Sequence, residues 1–477
     1  DSQHTSMRAS VTACVALAPR FAPLPSRRRV PRQPQPGSST QWRVAASLDG
    51  PELPSEVEAK RLQLQKKRRY MNITGFPFPL TPLLSRVTVC QELVSGKVWT
   101  FEQEQGIGLG LGVSTSVVMT VVKLKDGTLW VHNPIAPTEE MLDLLRSRCG
   151  GDDVNAAGDK GTASNKKYIT VKYIVLATTQ YEHKIFVGPF SRRFPRAQVW
   201  VAPGQFSFPV NLPNAFFGIF PTGVLSVDGV GMPWRDEIHQ KLLILPPLFW
   251  NQYTFCECAF LHRDTGTLLV TDAAVFVDET HPEVISSETL VDLGDEYGFT
   301  ISLLRFGNYR NARSLPGAGD FSRFTDTERT QKTGWYRMAL FSLFIAPDAK
   351  NILAPAKSFQ GLRNKFVVSP IVFFVVFQFH RQAVWEWAQS IKTDWGEATE
   401  LIVGGHFPPY RGNSSFQHTN ANAERSKSEA VDKFVEAFQW ANTLTEFPKE
   451  YVDPNDLKSL QVLVKVLRFL KAVPPES

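Results

Sequence analysis

From about Val87 onward the chain is written as short apolar runs, each closed by glycine, aspartate, asparagine or proline, and this rhythm constrains the fold more than any other feature. Runs of this length, rich in valine, isoleucine, leucine and threonine, read as strands. Val117–Leu124 and Thr128–Val131 flank Lys125-Asp126-Gly127, a hairpin signature. The stretches Tyr168–Leu176, Gln198–Ala202, Lys241–Leu245, Phe255–His262 and Thr267–Val270 continue the pattern. Between them lie helical segments: Pro137–Arg148, with Thr138 as cap and Met141, Leu144 and Leu145 on one stripe, and a short one near Phe190–Phe194. Strands mixed with helices in this way predict a layered α/β domain. With 477 residues, 43% of them hydrophobic, there is enough chain for a substantial core and, by length alone, for two or three domains.

The ends differ from the middle. Residues 1–50 hold seven arginines (Arg8, Arg20, Arg27, Arg28, Arg29, Arg32 and Arg43), no lysine, no glutamate and two aspartates. Five of the six net positive charges therefore sit there, and the remainder is nearly neutral, which argues against nucleic-acid binding driven by backbone charge. An arginine-, serine- and alanine-rich, acid-poor leader reads as a plastid transit peptide; Met7 is the expected start and Val44-Ala45-Ala46-Ser47 the expected processing region. The expected location is the chloroplast, in the stroma or against a membrane. Five cysteines suggest no disulfide framework. Cys256 and Cys258 fall on one face of a strand and are expected to be buried.

Leu48–Tyr70 reads as a helix with its basic run, Lys66-Lys67-Arg68-Arg69, at the C-terminal end. The alternating glycines of Gly106–Gly112 lack the spacing of a dinucleotide fingerprint and read as an exposed strand or loop. Met338–Ile345 and Phe366–Phe379 are too short to span a bilayer, and Pro370 interrupts the longer; both are expected to be buried or to lie against a membrane. Ser426–Trp440 is amphipathic, with Val431, Phe434, Val435 and Phe438 on one side, and Leu457–Val473 reads as a terminal helix.

The candidate chemistry lies where runs end. Glu182 and His183 follow the strand ending at Leu176, Asp272 follows Thr267–Val270, and His406 follows Leu401–Val403. The Gly404-Gly405 pair allows close backbone approach beside that last histidine. Oxygen and nitrogen donors in this mix suit zinc, iron or manganese, although ordinary hydrogen-bonded histidines fit the spacing equally well.

Several words of the sequence carry a resemblance: Asn133-Pro134 with Ile135-Ala136-Pro137-Thr138, Glu182-His183-Lys184 leading into Phe186-Val187-Gly188-Pro189-Phe190, Val201-Ala202-Pro203-Gly204-Gln205, and Thr265 to Ala273. Through these the region from Val98 to about Trp440 resembles the plant, algal and cyanobacterial family called domain of unknown function 4336, itself similar to the metallo-β-lactamase superfamily. The resemblance implies a four-layer αββα sandwich with a degenerate metal site. The superfamily's His-x-His-x-Asp-His positions fall on Thr178, Gln180, Glu182 and His183, a further histidine position near Tyr253, the bridging aspartate on Asp272 and the last histidine on His406. Thr178, Gln180 and Tyr253 thus stand for a lost first metal, while Glu182, His183, Asp272 and His406 keep the second, with Glu182 as ligand or general base.

The expected organisation is a transit peptide (1–45), a helical extension (46–86), a metallo-β-lactamase-like domain (87–441) with an insertion around 310–380, and a C-terminal tail helix (442–477). The expected function is a non-catalytic binding or assembly module of the plastid. The alternative is a mononuclear-metal hydrolase of an ester, thioester or phosphoester. The cofactor is accordingly none or one divalent transition metal (zinc, iron or manganese). The expected partners are a plastid protein or, peripherally, the thylakoid surface; nucleic acid and a transmembrane helix are not expected.

Overall fold

The computed structural model describes residues 55–70, 80–81, 85–107, 113–150, 169–207, 211–296, 301, 327–348, 351–412, 429–443 and 447–475. The leader (1–45), residues 108–112 of the glycine-rich run, 151–164 of the loop and 302–326 of the insertion lie outside them.

Two sheets organise the chain. The first has eight strands: β1 (Leu80–Thr81), β2 (Thr88–Val94), β3 (Val98–Ile107), β4 (Val113–Lys123), β5 (Leu129–His132), β6 (Val171–Leu176), β7 (Gln198–Val201) and β8 (Gly223–Val224), in the order β1-β3-β4-β5-β6-β7-β8 with β2 also paired to β3. Its early strands are antiparallel and β5 to β8 are parallel. The second sheet contains β9 (Ile238–Ile244), β10 (Cys256–His262), β11 (Thr267–Leu269), β14 (Leu401–Val403) and β15 (Tyr410–Arg411), in the order β15-β14-β11-β10-β9. A separate pair joins β12 (Val275–Val277) to β13 (Lys365–Val367).

Strands buried on both faces explain why the runs read as apolar throughout. One core lies between the sheets, where Val118, Trp130 and Val175 of the first meet Cys256, Cys258, Phe260, Leu269 and Val403 of the second. Trp130 and Phe260 pack edge to face at 5.0 Å, so truncating either is expected to cost about 3–5 kcal/mol. The outer face of the first sheet packs on α2 (Glu139–Cys149), through Met141, Leu142 and Leu145, and on α4 (Val187–Arg193), through Val187 and Phe190. The outer face of the second sheet meets α5 (Ser287–Gly294), α6 (Thr327–Ser342) and the later helices. Helix, sheet, sheet, helix is therefore the layer order, as expected.

Local readings held with shifted ends. Thr138 caps α2 by accepting from the Met141 amide at 3.1 Å. In the basic run of α1 (Ser55–Arg68), Lys67 pairs with Asp143 and Arg68 with Glu140, which ties α1 to α2, while Lys66 and Arg69 are exposed. The apolar runs at Met338 and Phe366 are core material, with Met338, Leu340, Phe366, Phe373 and Phe377 buried. Pro370 does not break a helix but begins one, Pro370–Val375, where its missing N–H costs nothing. The amphipathic segment after Ser426 is two pieces, Glu429–Glu436 and Gln439–Thr443, with Val431, Phe434, Val435 and Phe438 buried as expected. Among the described residues, no helix is long and apolar enough to cross a membrane.

Candidate metal centre

Three chain reversals at one edge of the sandwich build the site. After β6 the chain runs through Ala177 to Gln180 into a single helical turn, α3 (Tyr181–Lys184), which carries Glu182 and His183. After β11 come Thr271 and Asp272, and after β14 come Gly404, Gly405 and His406. The parallel pairing of β11 with β14 puts the last two reversals side by side.

Glu182, His183, Asp272 and His406 converge, with one donor atom of each within 4.8 Å of the others. Asp272 Oδ1 lies 3.2 Å from His406 Nε2 and 3.5 Å from His183 Nε2, and the two rings are 5.0 Å apart. Donors sharing an ion at about 2.0–2.2 Å stand at most about 4.4 Å apart, so a contraction of a few tenths of an ångström would suffice.

Tautomers follow from the outer contacts. Only an acceptor can face the histidine at the Ser116 carbonyl, so His406 Nδ1 donates there, at 2.7 Å, and Nε2 is left facing the cluster. His183 Nε2 is buried and has no hydrogen-bond partner among the described residues. A buried imidazole nitrogen that makes no hydrogen bond, beside a carboxylate and a second imidazole, fits a cation.

Burial opposes charge on Glu182, Asp272 and His406, and their neighbours decide the outcome. For His406 burial works against the imidazolium, but the Asp272 carboxylate outweighs it and lifts the pKa to about 9. Asp272 is likewise pushed up by burial and pulled further down by His183 and His406, ending well below the usual carboxylate range. Burial, helped by the Asp272 charge, raises Glu182. With no cation present, Asp272 and His406 form the ion pair and Glu182 favours its protonated form.

Groups behind the cluster hold it. Glu257, the second residue of β10 and buried, accepts the backbone amides of Thr271 at 2.5 Å and Asp272 at 3.0 Å. Asn133 sits at positive φ, 48°, which asparagine tolerates. Its side chain donates to Thr271 Oγ1 at 2.8 Å and accepts from the Ala177 amide at 3.0 Å, joining two of the reversals. His132, beside it, is held neutral, its pKa pushed down by burial to about 3. A Cβ at Gly405 would stand 3.0 Å from His183 Cε1 and 2.9 Å from the Thr271 methyl, so the close approach read from the glycine pair is real at Gly405.

The positions assigned to a lost first metal lie beside the cluster and are occupied by neutral groups. Thr178 Oγ1 donates to Asp272 Oδ2 at 3.4 Å, and the Tyr253 hydroxyl donates to Gln180 Oε1 at 3.4 Å. Burial keeps the Tyr253 phenol protonated. Above both halves opens a cavity of about 390 Å³, within the roughly 300–1,000 Å³ typical of ligand pockets. Asp272, Glu182, His406, Gln180 and Tyr253 lie at its polar end; Phe206, Phe249, Trp250, Phe344, Ile371 and Val375 supply apolar wall. Among the described residues that line it, none is lysine or arginine.

Glu257, Asn133 and Ser116 were not among the residues singled out for the site. For Glu257 a signal existed: an acid inside an otherwise apolar strand must find buried partners. Asn133 appeared only within a family word, and Ser116, which contributes a main-chain oxygen, left no trace in the sequence.

Helix, sheet, sheet and helix, with acid and imidazole donors gathered where strands end, make a four-layer α/β sandwich with a candidate metal centre, the arrangement that the resemblance to the metallo-β-lactamase superfamily implies. Within that class the chain belongs to the family described as domain of unknown function (DUF4336), whose model matches residues 95–360. No curated protein matches it in sequence. Among solved structures it is similar to the metal-soaked Flv1 flavodiiron core of Synechocystis sp. PCC6803, at 10% identity and a TM-score of 0.32, covering 74% of this chain and 61% of that one. It is also similar to the DIM-1 metallo-β-lactamase exposed to ceftazidime, at 8% identity and a TM-score of 0.33, covering 75% of this chain and 97% of that one. A metallo-β-lactamase from Erythrobacter litoralis stands at 9% identity and a TM-score of 0.32, with coverage of 74% and 99%. The layer order of this chain rests on its own three cores.

Proposed function

We propose that the chain binds one divalent transition ion (zinc, iron or manganese) through His183, Asp272 and His406, and that the loaded site hydrolyses a neutral carboxylic ester or thioester. The observation that carries this reading is the buried His183 Nε2, which makes no hydrogen bond among the described residues and faces Asp272 Oδ1 at 3.5 Å and the His406 ring. Such an ion would acidify water and polarise a carbonyl beside it.

The chain's own groups supply the rest. Glu182 lines the cavity and has a raised pKa, which suits it to accept a proton and hold it near neutral pH. Tyr253 remains a phenol and lines the cavity; its hydroxyl, on leaving the long contact to Gln180 Oε1, would donate a hydrogen bond to charge developing on a substrate oxygen. Among the described residues the lining holds no lysine or arginine, which favours a neutral ester over a phosphoester, whose charge calls for such a group.

The non-catalytic module is the second reading, favoured by the neutral groups at Thr178, Gln180 and Tyr253. The plastid address at residues 1–45 belongs to the proposal as well, resting on composition alone. To test catalysis, the protein is loaded with each ion and assayed on carboxylic esters, thioesters and phosphoesters. Turnover of a carboxylic ester or thioester is expected, and Glu182→Gln should keep the ion and lose about 10²–10⁴ in rate. A loaded protein that turns over nothing while retaining its ion would leave the binding module as the better account.

A further inference from the structure

The helix Lys458–Phe469 has two apolar faces, and only one of them is used by the fold. Leu460 and Val464 are buried, and the helix packs on Pro370–Val375, a wall of the cavity. On the other side Val462, Val466 and Phe469 follow the i, i+4, i+7 spacing and are 59%, 40% and 86% exposed. Leu463 and Leu470 widen this stripe. An outward stripe of large apolar side chains is costly to leave in water.

Between Asp456 and Glu476 the charge carried by the helix and the turn after it has one sign. Lys458, Lys465, Arg468 and Lys471 lie in or just after the helix, and residues 457–475 contain no acid. On a helical projection Lys458 and Lys465 flank one edge of the stripe. Its far end reaches the cavity: the indole N–H of Trp250 donates to the Leu470 carbonyl at 3.1 Å, and the Phe249 amide donates to the Ala472 carbonyl at 2.6 Å. Trp250 lines the cavity yet is 57% exposed, so it stands at the opening. Phe249, Trp250 and Asn251 all hold left-handed backbone, φ 50°, 58° and 67°, a strained turn of the kind found where function fixes a side chain.

We propose that Lys458–Phe469, together with Trp250, is an interfacial element that docks the protein on an anionic lipid surface and turns the cavity opening toward it. Apolar side chains on one face, lysines beside them and an indole at the rim match an acyl boundary, anionic headgroups and the headgroup layer. A protein partner would also cover apolar surface, but the one-signed charge and the exposed indole favour lipid. This inference does not rest on the metal or on catalysis.

The full chain is sedimented with vesicles of phosphatidylcholine alone and with vesicles carrying about one third phosphatidylglycerol. Binding to the anionic vesicles, at least about tenfold tighter than to neutral ones and weakened by salt, is expected. Val466→Asp with Phe469→Asp should lower binding at least tenfold, and Lys458→Glu with Lys465→Glu should remove the preference for anionic vesicles. All four positions are exposed, so melting temperature and metal content should stay unchanged in both variants. No binding to either vesicle, equal binding by the aspartate variant, or a self-association abolished by that variant without any vesicle binding would overturn the proposal.

Discussion

The two halves of the site share one cavity and differ in charge. On one side Glu182, His183, Asp272 and His406 bring two carboxyls and two imidazoles to a common point. On the other, Thr178, Gln180 and Tyr253 offer hydroxyl and amide groups that hydrogen-bond to one another or to Asp272. Neutral groups can satisfy each other in a buried place, whereas a carboxylate between two imidazoles depends on a proton or a metal. The difference teaches that a neutral half need not unmake a charged neighbour, because each is held by its own supports: Glu257, Asn133 and Ser116 for the charged half, Tyr253 with Gln180 for the neutral one.

The comparison breaks most completely if the charged half is emptied. His183→Ala with Asp272→Ala should abolish metal binding, a loss of at least two orders of magnitude in affinity measured by competition with a chromogenic chelator. Proton competition is the next largest effect. Without metal the His406 pKa is raised to about 9, so binding near neutral pH must displace a proton. Affinity should therefore climb about tenfold per pH unit from 7 toward 9 and level off above, and a flat titration would contradict the His406–Asp272 pairing. The sign for metal-free stability is opposite: a raised histidine pKa contributes stability that is complete below about 6.5 and is lost as pH rises through about 9.

Smaller changes act on the supports. Gly405→Ala forces a methyl to within 3.0–3.1 Å of the His183 ring, and about a tenfold loss of metal affinity is expected with a modest fall in melting temperature. Glu257→Gln keeps the shape but turns an acceptor into a donor facing two amides; about 1–3 kcal/mol of stability should go with it, read by denaturant unfolding. The comparison is sharpened from the other side by Gln180→His with Tyr253→His. Imidazoles placed in the neutral half should raise metal content above one per chain, though only weakly, because Thr178 still lacks a ligand nitrogen.

The charged half could be read in the sequence because each of its residues follows an apolar run, and residues just past a strand end are what a layered sheet presents to a ligand. Its convergence could not: three reversals far apart in sequence meet through β11–β14 pairing and through Asn133, which spacing does not encode. The apolar runs at Met338 and Phe366 illustrate a similar limit. They looked equally suited to the core and to a membrane, and their packing against the second sheet settles them as core. The C-terminal helix is the reverse case, since its apolar residues nearly encircle it and periodicity alone cannot say which face packs. Strand limits moved for a simpler reason: Ile238 to Gln240 are mixed in polarity, yet their register against Phe260 to His262 makes them part of β9.

Metal content of the purified chain, by elemental analysis after exposure to zinc, iron or manganese and removal of excess, tests the central claim most directly. One ion per chain, absent from the His183→Ala, Asp272→Ala variant, is the predicted result. A folded wild type that holds none, or one that holds two, would contradict it.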